Sequence, residues 1–275
     1  MSAVAIDYIF DSTNECHRLE RQAAIINLPH LLQHVPAVPD GGRILDAGCG
    51  SGAMARLLAS HNPAVEVVGI DLNPSYVAFA RERAAADTLA NLSFEVGDLQ
   101  SLPFPDTSFD FIWSQFVLYF VPSPDLAIRE FRRVLRPEGA VAVSLHEGTF
   151  TTNNPVDADL QGRIESVIFG LVNAQLARRT APMLHAAGFE GITVAIEADP
   201  IYTAIGAIAP DQRRNMEELF RPIMPRIATL LGGPAEADRF LSDLLAYYDR
   251  PDTCSYSLLW TIKGMVPRGE ASLTV

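Results

Sequence analysis

The chain has 275 residues and a formal net charge of −12, from 21 Lys and Arg against 33 Asp and Glu. That balance excludes a basic nucleic-acid binder. With 48% of residues hydrophobic and 20% charged, it also excludes a disordered chain, and the length suits one large α/β domain or one domain with an elaboration of roughly 60–100 residues. The opening stretch MSAVAIDYIF has neither a basic start nor a long apolar run, so no secretory signal is expected. No run approaches the ~18 apolar residues of a membrane span. Cys16, Cys49 and Cys254 are far apart and odd in number. They suit neither a disulfide framework nor a CxxC metal or redox site, and a cytoplasmic location is expected.

Residues 1–40 precede the first clear strand. Glu15 to Leu32 carries Leu19, Ala23, Ile26 and Leu31 at near-helical spacing, with a break expected at Pro29. Pro36, Pro39, Gly41 and Gly42 then mark a turn-rich approach to the core. From Arg43 strands and helices alternate. Strands are predicted over 43–47, 65–70, 92–96, 109–113 and 140–145. Helices are predicted over 52–60, 74–88 and 125–135, the second capped by Asn73 with Pro74 in its first turn. This rhythm predicts a mostly parallel sheet covered on both faces. After His146 it changes. Residues 147–159 are polar and turn-like, and helices are expected over 160–176 and 181–187. A strand follows over 191–196. The stretch 199–254 reads as a helical insertion, with helices over 213–231, interrupted by Pro222 and Pro225, and over 236–248. A last strand is expected over 257–265.

In ILDAGCGSG, residues 44–52, a strand runs into a tight glycine turn and then a helix. Gly48, Gly50 and Gly52 allow close backbone approach to a ligand. The helix N-terminus attracts a carboxylate or phosphate. Asp71 follows Gly52 by about 19 residues, at the end of the second strand, where a carboxylate can accept both hydroxyls of a ribose. The G-x-G-x-G order departs from the G-x-G-x-x-G of dinucleotide sites. It suits a ligand with a nucleoside end and an amino-acid end but no pyrophosphate.

The stretch resembles motif I of the class I S-adenosylmethionine-dependent methyltransferases, in their small-molecule branch. VGIDLNPSYVAFARERA, VGDLQSLPFPDTSFDFIWSQFVLYF and FRRVLRPEGAVAVS resemble the later core motifs, so that the resemblance covers about residues 40–145. It extends weakly to MLHAAGFEGITV. It implies a Rossmann-like α/β sheet with an N-terminal helix and a helical cap, and S-adenosylmethionine as cofactor. By that resemblance Asp46 and the backbone of Ala47, Gly48 and Gly50 hold the methionine end. Asp71 holds the ribose, Leu72 packs on the adenine, and Asp98 and Leu99 meet the adenine edge. Gln115 lies against the methionine portion, and Arg18 or Gln22 from the N-terminal helix reaches its carboxylate. The implied division is a helical lid over 1–40, a cofactor core over 41–146, a substrate-side segment over 147–198, a cap over 199–254 and a final strand over 255–275.

Methyl transfer from a sulfonium is a direct displacement, so alignment is the first requirement. A phenol, acid or carbon acceptor also calls for a base. His146, at the carboxyl edge of the fifth strand where open α/β sheets bind ligands, is the candidate base. Phe116, Tyr119 and Phe120, with Tyr8, are the candidate substrate surface for an apolar or aromatic small molecule, with a secondary-metabolite or quinone-like acceptor favoured. Trp113, Tyr202, Phe220, Tyr247 and Tyr248 add further aromatic surface. Arg178 and Arg179 read as surface charge. No metal, membrane or nucleic-acid partner is expected, and the oligomeric state is open. The competing readings are a nicotinamide-dependent oxidoreductase, which the glycine spacing disfavours, and a non-catalytic binding module on the same fold. Methylation of a protein remains open, and the acidic balance disfavours RNA.

Overall fold

Residues 13–268 are described here from a computed structural model. In chain order the first elements are α1 (Thr13–Ile26), α2 (Leu28–Leu31), β1 (Arg43–Ala47), α3 (Ala53–His61), β2 (Glu66–Asp71), α4 (Pro74–Ala86), β3 (Leu92–Val96), β4 (Phe109–Gln115), α5 (Pro124–Val134) and β5 (Leu135–Glu147). There follow β6 (Asn153–Asn154), α6 (Ala158–Leu171), α7 (Leu176–Ala186), β7 (Glu190–Ala198), β8 (Ala204–Ile205), α8 (Pro210–Phe220), α9 (Met224–Leu231), α10 (Pro234–Tyr248), β9 (Cys254–Ser255) and β10 (Leu258–Met265).

Branched and aromatic residues in β1, β2, β4 and β5 are buried on both faces, as a parallel sheet covered on both sides requires. Alternate side chains divide between two cores. Ile44, Val67, Phe111, Trp113 and Ala142 face α3 and α4. Leu45, Val68, Ile112, Val141 and Val143 face the side of α5 and α7. The sheet order is β3-β2-β1-β4-β5-β10-β7. The first five strands are parallel, and β10 runs antiparallel to both β5 and β7. The carboxyl ends of β1, β2, β4, β5 and β7 therefore lie along one edge, where the chain reverses its strand order between β1 and β4. A second sheet, β6-β9-β8, ties the cap together.

Helix α6 and the cap share the first core: Ile164 and Val167 of α6, with Met216, Phe220, Ile227, Phe240 and Tyr248 of the cap, are buried in it. Helix α8 packs on α1, and α9 packs on α6 and α10. Several expectations shift. The first helix breaks at Asn27, held left-handed at φ 56°, rather than at Pro29, which opens α2 instead. The helix expected over 160–176 ends at Leu171, and α7 begins at Leu176 with Pro182 inside it. Buried Leu176, Ala177 and Thr180 hold that early turn against the sheet, a case of packing outweighing propensity. The polar 147–159 stretch supplies the short β6, which no periodicity announces. Pro222 and Pro225 interrupt the cap helix as expected, through a 3-10 turn at Arg221–Ile223. No helix among the described residues is long and apolar enough to cross a membrane.

Candidate functional site

A cavity of about 320 Å³ opens over the carboxyl edge of the sheet. Its floor at one end is the turn between β1 and α3. Gly48, Gly50 and Gly52 all have positive φ. A side chain at Gly48 would overlap Val117, so the turn accepts only glycine there. The N–H groups of Gly48 and Cys49 bond to the Ile70 carbonyl at 2.8 and 2.9 Å, which locks the turn onto β2.

Asp46 ends β1 beneath this turn. It is buried, and its Oδ2 has no hydrogen-bond partner among the described residues. Burial pushes its carboxyl up to about 7; the Ala55 N–H opposes the shift and the Asp71 charge adds to it. Asp71 ends β2 and accepts N–H bonds from Gly50 and Asn73, each at 2.9 Å. Burial raises its carboxyl too, against the N–H groups of Asn73, Gly50 and Leu72. Gln115 ends β4. Its Oε1 accepts from Trp113 Nε1 at 3.2 Å, and its buried Nε2 has no partner among the described residues. Asp46, Ala47, Gly48, Gly50, Asp71 and Gln115 thus gather around one end of the cavity, Ala47 as fully buried backbone. An unpartnered carboxylate oxygen and an unpartnered amide N–H fit an amino-acid head group, which offers an ammonium donor and acceptor atoms.

Leu72, Asp98 and Leu99 lie outside the cavity lining. Leu72 is 58% exposed beside Asp71, and Leu99 is buried in the second core. Asp98 holds the Gln100 N–H at 2.8 Å. Asp98 and Leu99 follow β3, the edge strand next to β2. Arg18 lines the cavity from α1, and its guanidinium is already engaged. It donates to Glu15 at 2.5 and 2.8 Å, to Gln22, and to Asn215 at 3.1 Å on α8. It fastens α1 to the cap.

At the other end stand Phe116, Tyr119 and Phe120, brought into the cavity by the turn after β4. Tyr8 lies outside the described residues. Phe116 adopts φ 58°, a strained conformation for a side chain with a Cβ. It stacks flat on His146, with ring centroids 3.9 Å apart. Tyr119 donates to the His146 carbonyl at 2.5 Å. His146 Nδ1 lies 2.7 Å from Asp199 Oδ2. Glu147, next along the strand, turns to the other side and pairs with Arg178 at 2.6 Å. Arg178 therefore belongs to the cavity wall and is not simple surface charge.

Asp199 and Phe150 carry no mark in the sequence reading of this site, and Tyr202 enters it only as further aromatic surface. Asp199 had a usable signal: it comes three residues after the strand predicted over 191–196 and directly follows the observed β7, much as Asp71 and Asp98 stand at or just past their strand ends. Much of the remaining wall is apolar, from Leu19, Ala23 and Ile26 on α1, Ile168 and Leu171 on α6, and Ile223 beyond α8, with Thr149, Thr151 and Gln175 among it. Phe169, 53% exposed, stands at the mouth. Among the described residues no group of three or more His, Cys, Asp or Glu is arranged to hold a metal.

Residues 45–143 match the family described as a methyltransferase domain. The chain is 41% identical over 104 residues to the 27-O-demethylrifamycin SV methyltransferase of Amycolatopsis mediterranei, covering 38% of each chain. It is 31% identical over 160 residues to the arsenite methyltransferase of Halobacterium salinarum, covering 58% of this chain and 40% of that one. These matches span less than half of either relative's length. Among solved structures, the [4+2]-cyclase SpnF superposes with a TM-score of 0.60 at 28% identity, over 90% of this chain and 82% of that one. The core over residues 45–143 thus matches a methyltransferase domain, and it carries the strand order and glycine turn of the class I fold that the sequence resembles.

Proposed function

We propose that the protein is an enzyme that transfers a methyl group from S-adenosylmethionine to a small apolar acceptor held beneath the cap. The observation that carries this reading is the pair of unpartnered polar atoms, Asp46 Oδ2 and Gln115 Nε2, at the glycine-turn end of a cavity whose other end is apolar. Bound there, the cofactor supplies an electrophilic methyl group on a sulfonium. The chain's own residues orient and exclude water. Asp46 accepts from the ammonium, Gln115 donates to the amino-acid end, and Asp71 accepts from the ribose hydroxyls while Gly48 and Gly50 allow the close approach. Beyond the cavity lining, Leu72, Asp98 and the backbone N–H of Leu99 would meet the adenine end. Phe116, Tyr119 and Phe120 position the acceptor in line with the methyl group, which is the main contribution displacement chemistry asks of a protein.

Arg18, saturated by Glu15, acts by holding α1 over the site. The reducing interior of a cell suits the three free cysteines. The related methyltransferases act on acceptors as different as a rifamycin and arsenite, so the acceptor is set by this chain's own cap. Calorimetric titration with S-adenosylhomocysteine tests the reading. Saturable one-to-one binding supports it, and a folded protein that takes up none refutes it. The likeness to the cyclase favours a second reading, in which the apolar chamber folds a substrate for ring closure without methyl transfer. Label appearing in product from methyl-labelled S-adenosylmethionine separates the two.

A further inference from the structure

We infer that His146 and Asp199 form a proton-accepting pair that fits the site to a weakly acidic aromatic or enolic hydroxyl, with His146 Nε2 as base and Asp199 as its positioning residue. This deepens the methyltransferase reading and rests on it.

The geometry leaves the imidazole one role for each nitrogen. Nδ1 is buried 2.7 Å from Asp199 Oδ2, in an ion pair whose angle falls short of a hydrogen bond, and neither atom has a hydrogen-bond partner among the described residues; a proton on Nδ1 is what makes so close an approach to a carboxylate favourable. Nε2 has no partner among the described residues, on a side chain that lines the cavity. A ring held in that tautomer presents a lone pair to the cavity. Three further contacts fix the ring. Phe116 stacks on one face, Tyr202 meets it edge-on at 5.3 Å, and the Tyr119 hydroxyl holds the backbone carbonyl. The strained φ of Phe116 is the local cost of that stack.

Asp199 is itself held rigidly. Its N–H donates to the Ser257 carbonyl at 2.9 Å and its Oδ1 accepts from Ile201 N–H at 2.9 Å. Burial alone would raise its carboxyl. His146, with the Ile201 N–H and Ser257, holds it below the usual carboxylate range instead. Asp199 therefore stays an anion beside the ring and stabilises the imidazolium once a proton arrives.

The charges around the cavity narrow the acceptor. Both arginines in the lining are paired, Arg18 to Glu15 and Arg178 to Glu147. A carboxylate or phosphate acceptor would meet Asp46, Asp71, Glu147 and Asp199 with no uncommitted cation to offset it. A thiolate or neutral amine has no need of a base. A hydroxyl on an aromatic or enolic body enters neutral, packs against Phe116, Phe120 and Phe150, and does need one. In the step, the hydroxyl proton passes to Nε2 as the oxygen bonds the methyl carbon. The carbon–sulfur electron pair returns to sulfur, which leaves a neutral thioether.

The test is nitrogen-15 NMR of histidine-labelled protein, with and without S-adenosylhomocysteine. The His146 signals are identified by their loss in His146→Gln. The expected spectrum has Nδ1 protonated and Nε2 at the far-downfield unprotonated position. Saturating 1-naphthol then moves the Nε2 signal upfield, while benzylamine does not. In Asp199→Asn the proton shifts to Nε2 and the naphthol response is lost. Calorimetric affinity for S-adenosylhomocysteine stays within twofold in both variants. A protonated Nε2 in the unaltered protein overturns the proposal. So does an Nε2 signal that naphthol leaves in place, or one that benzylamine moves instead. If Asp199→Asn does not fold, the spectra of the unaltered protein decide. Failure of the unaltered protein to bind S-adenosylhomocysteine would overturn the methyltransferase reading separately, because the ligand-free spectra already report the tautomer.

Discussion

Acid should loosen S-adenosylhomocysteine through one carboxyl group. Asp46 is buried beneath the glycine turn, and its carboxyl is pushed from 3.8 up to about 7. The ligand's ammonium needs that carboxyl ionised. Protonation of Asp46 competes with binding, so affinity falls as pH falls through 7 and levels off above it. Between pH 7.5 and pH 5.5 the ionised fraction drops from about three quarters to about 3%. Affinity should therefore weaken about 25-fold, or ~2 kcal/mol. Titration calorimetry at the two pH values measures this directly. Asp46→Asn should flatten the dependence and bind weakly at both. Asp71→Asn serves as the control, because burial raises that carboxyl as well. An affinity that is constant over this range in the unaltered protein, or a slope that survives in Asp46→Asn, refutes the assignment.

The same group carries a stability signature of definite sign. A carboxyl raised on folding costs nothing while both states are protonated. Its penalty grows as pH rises from the unfolded value near 3.8 and is complete above the folded value of about 7. Over that span the penalty reaches about 4 kcal/mol. Without ligand, urea unfolding should therefore show Asp46→Asn gaining stability over the unaltered protein at pH 7.5 and little at pH 4. Equal stability at both values would remove the buried-charge argument.

Three other substitutions probe separate parts of the site. Gly48→Ala forces a Cβ into Val117 at a residue with φ 81°. It should abolish S-adenosylhomocysteine binding and lower the melting temperature, and near-normal binding would show that the turn yields. Asp71→Ala should weaken the ligand by roughly 1–3 kcal/mol, the cost of leaving a buried ribose diol poorly paired, and unchanged affinity would place Asp71 outside the site. Arg18→Gln removes the guanidinium that pairs with the buried Glu15 carboxylate, and should destabilise the fold by about 3–5 kcal/mol. A loss below about 1 kcal/mol in denaturant titration would mean that α1 is not fastened there.

The parallel core was legible because its signals are local. Strand, glycine turn, helix and acidic strand end follow one another within residues 43–71, and each carries its own chemistry. Backbone geometry at Gly48 and the carboxylates of Asp46 and Asp71 depend on neighbours a few residues away in sequence. Asp46, Gly48, Gly50, Asp71, Gln115, Phe116, Tyr119, Phe120 and His146 consequently meet in one cavity. Leu72, Asp98 and Leu99 stand apart from it, and these are the three residues that the resemblance assigns to the adenine end.

The acceptor side was illegible for a physical reason. Its contacts join segments that the sequence separates widely, and no periodicity records such pairings. Arg18 meets Asn215, and Tyr119 binds the His146 carbonyl. Asp199 reaches His146 only because β10 runs antiparallel between β5 and β7, which returns the end of β7 to the ligand edge. Given that topology, the acid after β7 falls into the same class as the acids after β2 and β3. A strand-end carboxylate at this edge has one of two tasks, according to its neighbour. Beside backbone N–H groups, as at Asp71, it is fixed in place for the ligand hydroxyls we propose it accepts. Beside an imidazole, as at Asp199, it sets where a proton can go.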